Sequence, residues 1–125
     1  MKKIINLFND FIKIKNKIIN LSFGESLKYI MKDKNISSKE LAIETNLNNT
    51  IISRYLNNKR KPDKINLVKI CNALELDPIS SVILMFKAKI IFFSDDQDLF
   101  LFYLLINLSK FNKNTIKDVL NTIKS

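Results

Sequence analysis

Arg54 and Arg60 are the only arginines in a chain that otherwise carries its positive charge on lysine. The planar guanidinium offers two parallel hydrogen bonds to a guanine edge or a phosphate, which the compact lysine ammonium does not match. Both arginines fall within residues 37–62, SSKELAIETNLNNTIISRYLNNKRKP. That stretch reads as two short helices joined by a tight turn, then a basic loop closed by a proline. Arginine on a short helix and in the loop after it is chemistry suited to recognising a nucleic acid.

Other chemistries have little support. The chain has no histidine, so imidazole acid–base catalysis and histidine metal sites are excluded. One cysteine, Cys71, can form neither an internal disulfide nor a thiolate cluster, which fits the cytosol. It stands among apolar helical positions and reads as core packing, since a reactive thiol needs exposure and a lowered pKa. The single glycine rules out a glycine-rich phosphate loop. Asp95, Asp96 and Asp98 form the one carboxylate cluster, but acids at a helix start are favoured by the helix dipole alone. We therefore expect no catalytic residues, no metal, no cofactor and no enzymatic activity.

The 125 residues make one domain, or a small domain with an extension, and the 46% apolar share suffices for a helical core. The net charge of +9 is uneven: residues 1–37 carry +5, residues 38–74 carry +4, and residues 75–125 are neutral. A basic partner-binding part and a neutral part with another job are implied. No apolar run nears the ~20 residues of a membrane span; the longest, Leu99–Ile106, has eight. Met-Lys-Lys is followed by apolar residues, but Asn6, Asn9 and Asp10 interrupt them and no small-residue cleavage site follows, so a secretory signal is not expected. The expected location is cytoplasmic.

The elements that must position the arginines are all helical. Residues 3–20 place Ile4, Ile5, Phe8, Phe11, Ile12, Ile18 and Ile19 at helical spacing, giving a basic amphipathic helix. Residues 24–34 form a second helix with Leu27, Ile30 and Met31 inward. Ser37 opens a third, with Glu40 at capping-box spacing and Leu41, Ala42 and Thr45 inward. Asn48 caps a fourth, residues 49–57, with Ile52, Tyr55 and Leu56 inward. A fifth covers 64–74, with Ile65, Val68, Ile70, Cys71 and Leu74 apolar. Asp77-Pro78 starts a sixth, running to about Phe92. Ser94 and Gln97 repeat the capping-box spacing before an apolar helix over 95–109. A final helix, 114–124, aligns Ile116, Val119, Leu120 and Ile123. No strand and no internal repeat is expected.

Residues 23–85 resemble the phage-repressor/Cro-type (XRE family) helix-turn-helix domain. FGESLKYIMKDKNIS matches its first helix and turn, SSKELAIETNLNNTIISRYLNNKRKP the helix-turn-helix, and INLVKICNALELDP the fourth helix and the start of the fifth. The resemblance implies an all-α, five-helix lambda-repressor-like domain. Around it stand an extra N-terminal amphipathic helix at residues 1–22 and a C-terminal helical hairpin at 86–125. Two departures are informative. Where the family usually has glycine, this chain has Asn35, Asn46 and Asn58, and asparagine best tolerates the positive φ those turns require. Where many members hold a buried Arg–Glu pair, this chain has Met31 and Leu56. Both ends have become apolar, avoiding the desolvation cost of a buried ion pair, and the two are expected to touch.

In such folds the N-terminal part of the recognition helix enters the major groove. With Ile52, Tyr55 and Leu56 inward, Asn49, Thr50, Ser53 and Arg54 face outward. The resemblance makes Asn49, Thr50 and Arg54 the leading candidates for base edges, with adenine suiting Asn49 and guanine suiting Arg54. Lys39, Asn48, Asn57, Lys59, Arg60 and Lys61 are placed for phosphates, which fix register without reading sequence. Ile51 is expected outward, within reach of a thymine methyl.

The expected function is sequence-specific transcriptional regulation on double-stranded DNA, by a repressor binding a palindromic operator as a homodimer. The apolar C-terminal helices would supply the dimer interface. The alternative is an antitoxin, an antirepressor or another interaction module in which residues 95–124 bind a partner protein. A basic amphipathic N-terminal helix can also lie on an anionic membrane. The Asn and Asp on its polar face favour packing or dimerisation instead, and no membrane partner is expected.

Overall fold

The computed structural model describes residues 2–18 and 20–123, with side chains at all of these except 2, 7, 10, 11, 14 and 15. Ile19, the Phe11 side chain and Lys124, each assigned above to a helix, lie outside the described residues. The described chain forms α1 (Lys2–Ile18), α2 (Phe23–Asp33), α3 (Ser38–Thr45), α4 (Asn49–Leu56), α5 (Lys64–Ala73), α6 (Pro78–Lys87), α7 (Asp96–Ile106), a 3₁₀ turn at Leu108–Lys110, and α8 (Lys113–Thr122). No strand occurs among the described residues.

Most helices begin as their sequence dictates. Ser37 accepts from the Glu40 amide while Glu40 accepts from the Ser37 amide, and Ser22 and Glu25 form the same reciprocal cap on α2. Asn48 accepts from Ile51, and Asp63 and Asp77 do the same for α5 and α6, with Pro78 in the first turn. The expected cap at Ser94 is displaced by one residue. Asp95 caps α7 by accepting from the Asp98 amide, and Ser94 instead bonds the Asp98 carboxylate. Asp95 is as good a cap as Ser94, and tertiary demand on Asp98 decides between them.

Five helices end in one way. After α2, α3, α4, α5 and α6 stand Asn35, Asn46, Asn58, Glu75 and Lys89, all with φ between 52° and 59°. In each case the next amide bonds back five residues: Ile36 to Met31, Leu47 to Ala42, Lys59 to Arg54, Leu76 to Cys71 and Ile90 to Met85. This is the Schellman closure usually built with glycine. The three asparagines follow the sequence reading. Glu75 and Lys89 do not, and Lys89 is why α6 stops at Lys87 rather than near Phe92. A side chain with no local hydrogen bond to offer makes the left-handed conformation costly. Lys89→Gly should therefore raise stability by about 0.5–1 kcal/mol in urea denaturation, the gain from removing Cβ exceeding glycine's entropy cost.

One apolar core runs from Phe23 and Leu27 through Leu41, Ile52, Leu67 and Ile70 to Leu101, Leu105 and Leu120. Met31 belongs to it and partly buried Leu56 packs against it, on helices α2 and α4 that pack together. At its centre, α5 is packed by α3, α6, α7 and α8. The C-terminal helices thus bury their inner faces, through Leu101, Leu104, Leu105, Ile116 and Leu120, on the same core as the helix-turn-helix. α7 ends at Ile106 rather than 109, giving way to the 3₁₀ turn. By contrast, α1 packs on α2, where Ile18 is fully buried, while Ile4 and Ile5 are exposed.

Polar ties join the C-terminal helices to the domain. The Lys64 ammonium, at the first residue of α5, donates to Asp98 of α7. Asn72 of α5 donates to the Lys113 carbonyl at 3.1 Å, and the Lys113 ammonium lies 3.3 Å from Glu44 of α3. The acidic cluster is thereby divided: Asp95 caps, Asp98 pairs inward, and Asp96 stays exposed. Among the described residues no group of His, Cys, Asp or Glu could hold a metal ion. Hydrogen bonds from Lys64, then Ser94, hold the Asp98 carboxyl below its ordinary 3.8. A lowered pKa means the contribution is complete above the ordinary value and is lost as pH falls through the lowered one. The stability gap between wild type and Asp98→Asn should be widest near neutrality and close under strong acid, as read by denaturant midpoints across pH.

Candidate nucleic-acid interface

The turn between α3 and α4 is made by Asn46, at φ 59°, with the Leu47 amide returning to the Ala42 carbonyl. The apolar Leu47 then packs partly against the core, and Asn48 caps α4. This fixes the rotation of α4 about its axis. Ile52 is fully buried and Tyr55 is 1% exposed. Tyr55 Oη accepts from Asn66 Nδ2 at 2.9 Å, tying α4 to the first turn of α5, and burial raises the tyrosine pKa. Tyr55 is a packing residue, as expected. Leu56 is only partly buried.

On the opposite side Asn49, Thr50, Ser53 and Arg54 are all exposed, as are Lys39, Asn48, Asn57, Lys59, Arg60 and Lys61. All ten expected contact residues therefore stand at the surface. Arg54 enters no ion pair among the described residues, nor do Lys39, Lys59, Arg60 and Lys61. Two of the ten are joined: Asn57 Nδ2 donates to the Ser53 carbonyl at 3.0 Å and to Ser53 Oγ at 3.3 Å. The Ser53 hydroxyl keeps its proton to donate. Asn48 uses Oδ1 for its cap and keeps its amide group. Ile51 departs from expectation: it is partly buried against the core rather than presented outward.

The loop after α4 differs from the other four closures. Those place apolar Ile36, Leu47, Leu76 and Ile90 after the left-handed residue, each packed on the core. Here the position is Lys59, and it is exposed. The usual apolar fastening of the turn is absent, and a side chain replaces it. Asn58 Oδ1 accepts from the Gly24 amide at 2.9 Å, and Asn58 Nδ2 donates to Ser22 Oγ at 2.9 Å. Asn58 thus makes the turn and ties it to the start of α2, so that lysine and arginine can occupy the loop. Gly24, the only glycine, lies where a Cβ would come within 2.4 Å of the Leu56 carbonyl oxygen. Sequence reasoning assigned Asn58 its backbone role and missed its side chain. The lone glycine in the first turn of a helix was the available signal.

Cys71 is fully buried on α5 and burial pushes its thiol up to about 12, with the buried Ser81 hydroxyl beside it pulling the other way. This is a packing cysteine. No helix among the described residues is long and apolar enough to cross a membrane.

Residues 26–79 match the family model of the Cro/C1-type HTH DNA-binding domain. The chain has no significant match among curated proteins or solved structures. The matched residues run from the first turn of α2 to the first turn of α6 and contain the α3–α4 pair with its exposed polar face. They are a Cro/C1-type helix-turn-helix DNA-binding domain.

Proposed function

We propose that the protein is a transcriptional repressor that binds a palindromic operator as a homodimer. Each α4 enters the major groove of one half-site, and the half-sites lie about one turn (~34 Å) apart. The observation that carries this reading is the open polar face of α4. Asn49, Thr50, Ser53 and Arg54 are exposed together, and the arginine is not engaged in a salt bridge among the described residues. Asn49 suits adenine and Arg54 guanine, with Thr50 and Ser53 as shorter-reach partners. Lys39, Asn48, Asn57, Lys59, Arg60 and Lys61 hold phosphates and set the register. Occupancy of the operator blocks the promoter.

Selection of bound sites from random duplexes, with mass measurement of the complex, tests the proposal. A palindromic consensus bound by two chains is the expected result. A non-palindromic site bound by one chain would reject the dimeric reading. Four phosphate-holding cations per chain, Lys39, Lys59, Arg60 and Lys61, give about eight per dimer, so log affinity should fall with log salt at a slope of about −7. The competing reading, an antitoxin or other interaction module, draws on exposed aromatic residues of α7. It predicts no DNA shift even at low salt, together with a stable heteromer.

A further inference from the structure

The outward face of α7 is apolar. Leu101, Leu104 and Leu105 point into the core, while Leu99, Phe100 and Tyr103 are 49%, 43% and 50% exposed. Tyr103 is extended by Phe111, whose ring centroid lies 6.1 Å away. Asp96, Leu99, Phe100 and Tyr103 recur at three- and four-residue spacing and so share one side of the helix. An exposed apolar strip of this kind marks an interaction surface. Its charges indicate the occupant. Exposed Asp96 stands at the start of α7 and exposed Lys110 in the 3₁₀ turn beyond its end. A two-fold interface needs a surface that is complementary to itself. Antiparallel packing about Tyr103 brings each Asp96 toward the end of the second copy's strip that carries Lys110, whereas parallel packing would set Asp96 against Asp96.

Resting on the homodimer reading above, we propose that two copies associate through antiparallel α7 helices. The two-fold axis passes at Tyr103, with apolar contact along Leu99, Phe100 and Phe111 and an Asp96–Lys110 pair at each end. The strip is built for a second copy of this chain.

Sedimentation equilibrium of the full chain across concentration, with circular dichroism to verify the fold, tests this directly. Wild type should dimerise. Tyr103→Glu should weaken the dimer ~10-fold or more, and at an exposed position it should leave the helical signal unchanged. Asp96→Lys and Lys110→Glu should each weaken association, and the double variant should recover it at low salt. Recovery by charge exchange would not follow from a structural role alone, and it keeps the test valid if Tyr103→Glu misfolds. Under mild oxidation Tyr103→Cys should cross-link to itself, while fully buried Cys71 does not compete. A wild type that stays monomeric would overturn the homodimer reading and this interface with it. A wild-type dimer that is indifferent to all these changes would overturn this interface alone.

Discussion

Gly24→Ala should lower stability by about 3 kcal/mol and the melting temperature by roughly 10 °C or more. The direction is diagnostic, because alanine in a helix normally gains about 0.5–1 kcal/mol over glycine. Here the added Cβ would stand 2.4 Å from the Leu56 carbonyl oxygen, 2.8 Å from that of Tyr55 and 2.9 Å from Asn58 Oδ1. Two of the three neighbours are backbone at the end of α4, so relief requires α2 and α4 to separate. Separation would also stretch the bonds from Asn58 to the Gly24 amide and to Ser22 Oγ. Each such bond is worth about 1 kcal/mol and leaves a polar group unsatisfied when lost. Calorimetry and urea denaturation measure the effect, and stability equal to or above wild type would contradict the close approach. Asn58→Gly separates the two contributions. It keeps the left-handed turn and loses only the side-chain bonds, so its cost should be the smaller.

Local signals in this sequence translated well into structure. The caps at Ser37, Asn48 and Asp77 depend on side chains a few residues from the amides they serve, so spacing is enough to find them. The asparagine turns were legible because asparagine and glycine share the left-handed region. The exposed face of α4 was legible because helical periodicity separates buried Ile52 and Tyr55 from exposed Asn49, Thr50, Ser53 and Arg54. What escaped were choices settled at long range. Nothing in Glu75 or Lys89 announces a positive φ, so the end of α6 was placed too late. Both are followed by an apolar residue that packs on the core, as Asn35 and Asn46 are, and that contact helps hold them there. Asp98 could have served any helix start, but Lys64 thirty-four residues away claims it. Ile51 looked outward on a helical wheel, and only the packed neighbours show that it is half covered. The apolar C-terminal helices were expected to need a partner. Their inner faces find one in α5, while Leu99, Phe100 and Tyr103 on the outer face of α7 stay exposed.

Arg54→Ala should reduce affinity for the selected operator by ~1–3 kcal/mol, a loss of about 5- to 150-fold, without altering the melting temperature. Stability should hold because the side chain is exposed and forms no ion pair among the described residues. The Arg54 carbonyl, not its side chain, receives the Lys59 and Arg60 amides, and alanine keeps that closure. The variant should also lose preference at one base pair per half-site, because the guanidinium distinguishes guanine through its paired acceptors. Arg60→Ala serves as the contrast. On the proposed reading Arg60 meets a phosphate, so its loss should weaken all sequences alike and flatten the salt dependence by about one charge per half-site. Binding titrations on the selected operator and on a set of single-base variants separate the two outcomes. An Arg54→Ala protein with wild-type discrimination at every position would remove Arg54 from base reading and return it to the phosphate-contacting group.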